Sequence, residues 1–172
     1  MNVKPERVEA PATADGLVLE VTAAPQVLAA EPEVEAFVAS AIETADEIAG
    51  PAQGVLAVLV DGDERIRALN RHWRGIDKAT NVLSFCYPDS PAGAPKYLGD
   101  IAISYETAAA EATAEGKPFA HHMKHLAVHG FLHVLGYDHE SDEDADAMER
   151  LERTILARLG VPDPYTARDA EG

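Results

Sequence analysis

The sequence predicts an α+β fold of mixed α/β layers: a small, mostly four-stranded mixed sheet packed with about five helices. Three observations carry that expectation. Strand-sized apolar runs alternate with stretches of helical periodicity. Gly and Pro fall between these segments, where turns belong. A chain of 172 residues that is 47% hydrophobic and 26% charged is long enough and apolar enough for one domain with its own core. That domain is expected to span 1–172, with 1–15 and 163–172 as flexible tails.

The elements follow in order. Residues 17–22 (LVLEVT) read as a strand by alternation and β-branched content. After Pro32, the positions Val34, Phe37, Val38, Ala41, Ile42, Ala45 and Ile48 follow helical spacing and stop at Gly50-Pro51. Residues 55–60 (VLAVLV) form a buried strand, followed by the turn Asp61-Gly62-Asp63 and a helix reaching Leu69 to Trp73. Residues 81–85 and 98–104 add two strands around a proline-rich loop. Ser104 caps a helix to about Glu115, and Gly116-Lys117-Pro118 separates it from another ending near Gly136. Ser141 with Asp144 resembles a capping box, and Met148, Leu151, Ile155 and Leu159 stripe the last helix until Gly160 and Pro162.

Composition excludes several classes of function. With 14 Lys plus Arg against 30 Asp plus Glu the net charge is −16, which argues against a binder held to nucleic acid by bulk electrostatics. The acidity is uneven. Residues 1–64 hold 13 acids and 2 bases, 65–124 hold 6 and 8, and 125–172 hold 11 and 4. The middle is a mildly basic island containing Arg65, Arg67, Arg71, Arg74 and Lys78, which a solvated helix face explains as well as a binding site does. No apolar run approaches the roughly 20 residues of a membrane span, and the first residues lack a secretory signal's apolar region. The expectation is a cytoplasmic protein with no membrane partner. A lone cysteine, Cys86, excludes an internal disulfide or a cysteine-rich zinc cluster, so any metal must be held by His or carboxylate.

Five of the seven histidines lie between 121 and 133, and the informative segment is HGFLHVLGYDH, residues 129–139. At i and i+4 on a helix, His129 and His133 project from one face one turn apart, near enough to grip one metal ion. Gly136 can end the helix in a left-handed cap, and the chain reversal through Tyr137-Asp138 can return His139 to the same ion. Three neutral imidazoles plus a water make an open tetrahedral zinc site of the catalytic kind, so one Zn2+ is expected. His125 lies on the same face one turn earlier, open to packing, support of a ligand or ligation, and Asp138 is read as an orienter or turn former. Gly130 stands where a His-Glu-x-x-His peptidase carries its general base, so that base is missing. Either close helix packing or another group approaching the backbone accounts for a glycine there.

These residues resemble the YbeY family of bacterial ribosomal RNA maturation factors, metal-dependent endoribonucleases. The resemblance rests on HGFLHVLGYDH, on LNRHWRGIDKATNVLSF (69–85) and on LGDIAIS (98–104), which together cover most of residues 55–160. It implies His129, His133 and His139 as zinc ligands and Arg74 as a functional residue beside them, with His125 at a recurrent position that is not a ligand. It further implies cleavage of single-stranded RNA, maturation of the 3′ end of small-subunit ribosomal RNA, ribosome quality control, and the ribosome or small-subunit proteins as partners. Two departures stand out: Trp73 replaces the usual tyrosine before the arginine, and Ser-Phe-Cys86-Tyr-Pro replaces Ser-Phe-Pro. The first keeps an aromatic platform and the second is read as a change of loop geometry, so neither is expected to disturb the metal ligands.

In chemical terms Arg74 is expected to act as a catalytic group that stabilises phosphoryl charge through paired hydrogen bonds, with Trp73 and Arg74 also contacting substrate. An ordinary ion pair with Asp77 or Asp100 is the competing account of Arg74. Thr80, Asn81 and Ser84 suit polar cleft contacts and turn or strand-end roles equally. Attack by metal-activated water or by the RNA 2′-hydroxyl both agree with these residues. Two rival functions remain: a ribosome-assembly factor that uses zinc only to hold its fold, and a small zinc metallopeptidase.

Overall fold

The computed structural model describes residues 16–87 and 96–165. The expected arm at 1–15 and residues 166–172 of the expected tail lie outside the described residues. Four strands, β1 (Leu17–Ala23), β2 (Gly54–Asp61), β3 (Val82–Cys86) and β4 (Tyr97–Ser104), form one sheet in the order β1-β2-β4-β3. β1, β2 and β4 are parallel; β3 pairs antiparallel with β4 at one edge. The six helices among the described residues are α1 (Pro25–Ala30), α2 (Val34–Ala49), α3 (Asp63–Arg74), α4 (Tyr105–Glu115), α5 (Phe119–Val134) and α6 (Asp142–Arg158). This is the expected α+β fold with one helix more than the sequence suggests. α1 spans six residues and buries only Val27, too little for a 3.6-residue period to register.

Strand alternation sorts the sheet into two unequal faces. Leu56, Val58 and Val60 of β2 join Ile101 and Ile103 of β4 in the main core, which α2 closes with Val38, Ala41 and Ile42 and α5 with Leu126, Ala127 and Phe131. α6 lies over this layer through Met148, Ile155 and Leu156. Among the described residues the opposite face is covered by α3, whose Ile66 and Leu69 meet Leu83 and Ala102 in a separate small cluster. Each fully buried Leu, Ile or Phe in these layers contributes about 1.5–3 kcal/mol relative to exposure.

Local signals act as the residue types predict. Ser104 accepts from the Thr107 amide at 3.3 Å to cap α4, and Ser141 accepts from the Asp144 amide at 3.1 Å to cap α6. Residues 163–165 of the expected tail are held by side-chain contacts: Asp163 pairs with Arg153 at 3.1 Å, and the Tyr165 hydroxyl donates to Glu152 at 2.6 Å. A buried carboxylate in need of donors draws the chain back, a requirement that composition alone does not display.

α5 packs hardest on the sheet at Gly130. A Cβ there would lie 3.1 Å from Ile101 Cγ2 and 3.2 Å from both Ser84 Oγ and Val82 Cγ2. The Ser84 hydroxyl donates to the Gly130 carbonyl at 3.2 Å. Close helix packing therefore accounts for this glycine, and a side chain at the position would have to push Ile101, Ser84 or Val82 aside. Gly130→Val is expected to destabilise the fold by about 1–3 kcal/mol through overpacking, read as a lower urea midpoint at unchanged slope. An unchanged midpoint would show that the sheet yields to the side chain.

Candidate metal centre

Helix geometry and one turn bring three imidazoles together. His129 and His133 occupy successive turns near the end of α5. The helix then stops in a Schellman arrangement: the Gly136 amide bonds the His133 carbonyl and the Tyr137 amide bonds the Leu132 carbonyl, both at 3.0 Å. Gly136 takes φ +104°, a left-handed conformation that a side chain would strain. Asp138 acts as a turn former, its carboxylate accepting from the Glu140 amide at 3.1 Å. The reversal stacks the His139 ring on His129, centroids 4.9 Å apart, and sets it edge-on to His133 at 4.7 Å. One nitrogen from each of His129, His133 and His139 lies within 4.8 Å of the others.

Hydrogen bonds decide which nitrogens face inward. His129 Nδ1 donates to Glu152 Oε1 at 2.9 Å, and His133 Nδ1 donates to the Tyr137 carbonyl at 2.9 Å. Both Nε2 atoms therefore carry lone pairs, and they stand 3.0 Å apart. Two lone pairs that close repel unless a cation or a shared proton lies between them. Burial, and the charge that protonated His129 and His139 would place beside it, lower the pKa of His133 and favour the neutral, ligating imidazole. His129, His133 and His139 supply the three-imidazole donor set of a tetrahedral ion, and with metal–nitrogen bonds of about 2.0–2.1 Å their nitrogens would draw together from the 4.8 Å within which they lie.

Glu152 was not among the residues expected from the sequence. It is fully buried on α6 and accepts from His129 Nδ1, from His125 Nε2 at 2.8 Å and from the Tyr165 hydroxyl at 2.6 Å. Burial pushes its carboxyl pKa up; the hydrogen bonds from His125, His129 and Tyr165 outweigh that and hold it below the usual carboxylate range. His125 is thus engaged with Glu152. The signal was present in the sequence as an acid on the same helical face as Met148 and Ile155.

Arg74 reaches the same cleft from the other side of the edge strand. α3 ends at Gly75, φ +71°, and the Asn70 amide donates to the Lys78 carbonyl at 2.8 Å, tying the following loop back. Arg67, rather than Arg74, pairs with Asp77, at 2.8 and 3.0 Å. Arg74 instead donates to the Ser84 carbonyl at 2.6 Å and lies over the Phe85 ring, 5.3 Å from its centroid. The resulting cleft of about 440 Å³ is lined by Arg74, Asn81, Ser84, His129, His133 and Tyr137, among others. Asn81 and Ser84 also have structural partners, in Glu111 and the Gly130 carbonyl. Trp73 is not in this cleft. It is 48% exposed on the other side of β3, with its ring centroid 6.4 Å from that of Phe85.

Comparison with known proteins agrees with the motifs. The family model described as Endoribonuclease YbeY matches residues 22–160. An Endoribonuclease YbeY of Rhodopseudomonas palustris strain BisB18 is 59% identical over 146 residues, covering 81% of this chain and 87% of that protein. One of Nitrobacter hamburgensis is 52% identical over 159 residues, covering 87% and 83%. The solution structure of a Thermotoga maritima protein shares the fold at a TM-score of 0.54 and 19% identity, over 83% of this chain and 91% of that one. On the sequence match through both the histidine and the arginine motifs, the chain belongs to the Endoribonuclease YbeY family.

Proposed function

We propose that this protein is a zinc-dependent endoribonuclease that cuts single-stranded RNA, with His129, His133 and His139 as the metal ligands. The observation that carries the reading is the pair of inward Nε2 atoms at 3.0 Å, oriented by Glu152 and Tyr137, in one cleft with Arg74. When bound, the ion would supply Lewis-acid polarisation and a lowered water pKa. The remaining steps belong to the chain's own groups. Arg74 has one guanidinium nitrogen engaged by the Ser84 carbonyl, which aims the planar fork, and its other N–H donors can take phosphoryl oxygens as charge develops. Glu152 keeps His129 in the tautomer with Nε2 unprotonated, and the Tyr137 carbonyl does the same for His133.

Charge supports the single-strand preference and the need for partners. A protein of net charge −16 repels the dense phosphates of a duplex and binds isolated RNA weakly. Targeting to small-subunit ribosomal RNA, for 3′-end maturation and ribosome quality control, then depends on the ribosome or its small-subunit proteins. No helix of the described residues is long and apolar enough to cross a membrane, in keeping with cytoplasmic action. The peptidase alternative loses support at Gly130, where the general-base glutamate is missing and close helix packing accounts for the glycine.

His133→Ala is expected to abolish stoichiometric zinc and RNA cleavage together; full metal occupancy in a His129→Ala, His133→Ala double variant would refute the ligand set. Arg74→Ala is expected to retain zinc and lose cleavage of a single-stranded oligoribonucleotide by about 10²-fold or more. If chelation unfolds the protein while a metal-loaded, folded sample never cuts RNA, the structural-zinc reading replaces the catalytic one. Glu152→Gln is expected to weaken zinc affinity by about 10- to 100-fold, measured by competition with a chelating dye and with the fold checked by circular dichroism. Wild-type affinity in that variant would show that Glu152 serves packing alone.

A further inference from the structure

Among the described residues, the sheet face opposite α5 carries a second concavity beside α3. Along β3, Leu83 and Phe85 turn toward α3, while Ser84 and Cys86 bond the Gly130 and Val134 carbonyls on the α5 side. Phe85 is registered with Asp100, and Asp100 with Ala57. α3 packs over Leu83 and Ala102 and ends at Arg74, so Ala57, Asp100 and Phe85 are left as the floor of a cavity of about 310 Å³ walled by Trp73.

We propose that this cavity receives an unpaired nucleobase, guanine best, of the RNA strand whose phosphate occupies the histidine cleft; the proposal rests on the nuclease reading. Three observations carry it. The first is the wall chemistry: Trp73, 48% exposed, and Phe85 offer aromatic faces 6.4 Å apart at 57°, a geometry for stacking on one ring against the edge of the other. The second is Asp100. The Tyr87 hydroxyl donates to its Oδ2 at 2.6 Å, which anchors the carboxylate beside the cavity while leaving further acceptor positions. A carboxylate selects an edge of adjacent N–H donors. Guanine presents two, N1–H and the exocyclic amine, whereas uracil's single N3–H is flanked by carbonyls that a carboxylate repels.

The third is continuity. Ser84 and Cys86 line both the cavity and the histidine cleft, and β3 is the edge strand of the sheet, so an RNA backbone crossing it passes from one to the other. Consecutive residues serve the two sides: Trp73 walls the cavity and Arg74 lines the cleft while resting on the Phe85 ring. A phosphate held by Arg74 and a base held beside Trp73 then belong to one nucleotide or its immediate neighbour.

Trp73 is the chain's only tryptophan and reports on the cavity directly. The experiment titrates the full-length, zinc-loaded protein, at a temperature and time at which a gel shows the oligomer still intact, with a single-stranded hexaribonucleotide of uridines holding one central guanosine. The same oligomer with an abasic or uridine residue at that position is the control. Overall binding is followed by anisotropy on labelled copies and Trp73 emission on unlabelled ones. The expected result is saturable quenching by the guanosine oligomer, at least about fivefold weaker half-saturation with the abasic one, and loss of the guanosine preference in Asp100→Asn. Ala57→Leu, which fills the floor, is expected to remove the quench. RNA bound and cut by the metal-loaded protein with Trp73 emission unchanged, or quenched equally by the abasic oligomer, overturns the base site and leaves the nuclease reading intact. RNA neither bound nor cut by the metal-loaded wild type overturns both. Quenching by an apolar dye that no RNA displaces overturns the base site in favour of an apolar protein contact.

Discussion

A charge with no exposure to water organises the functional end of this molecule. The Glu152 carboxylate lies at full burial beneath the histidine helix, where an unpaired ion costs several kcal/mol. It persists because His125, His129 and Tyr165 each direct a donor at it. Those contacts join α5, α6 and the segment after α6 at a single group. The same contacts that stabilise a buried acid also determine which nitrogen of His129 faces the cleft. Fold stability and site chemistry are therefore coupled through one side chain, and the spacing of α5 against α6 cannot relax without turning that imidazole.

The second organising feature is the edge strand β3. Edge strands commonly invite unwanted pairing, and this one is short and occupied on both faces. Its Ser84 and Cys86 contact α5, its Leu83 and Phe85 contact the α3 side, and the Ser84 carbonyl is taken by Arg74. The strand thus stands as a low wall between a polar cleft and an aromatic cavity. The loop before it is held by side chains: Asn70 bonds the Lys78 carbonyl and Arg67 bonds Asp77. Much of the motif from Leu69 to Phe85 consequently serves to deliver one arginine over one strand.

Charge is distributed in the same spirit. The acids of 142–144 open α6, where the helix macrodipole favours them, and of the bases in α3 Arg67 pairs with Asp77 while Arg74 lines the cleft. A net charge of −16 therefore describes the flanks more than the site.

The four strands, the five longer helices, the left-handed glycine after α5 and the convergence of His129, His133 and His139 were legible in the sequence, because each rests on local periodicity, turn chemistry or helix pitch. α1 was not, since six residues burying one valine leave no period to read. The reason for Gly130 was not either; a glycine in a helix signals close approach, and only the sheet shows that Ile101, Ser84 and Val82 make it. Tertiary structure alone decided that Arg74 passes Asp77 for the Ser84 carbonyl, that Trp73 and Arg74 serve opposite sides of β3, and that Glu152 and Tyr165 lie beneath the histidines. Those placements join residues far apart in the chain through packing angles and buried hydrogen bonds, and such distances are not encoded in any local pattern.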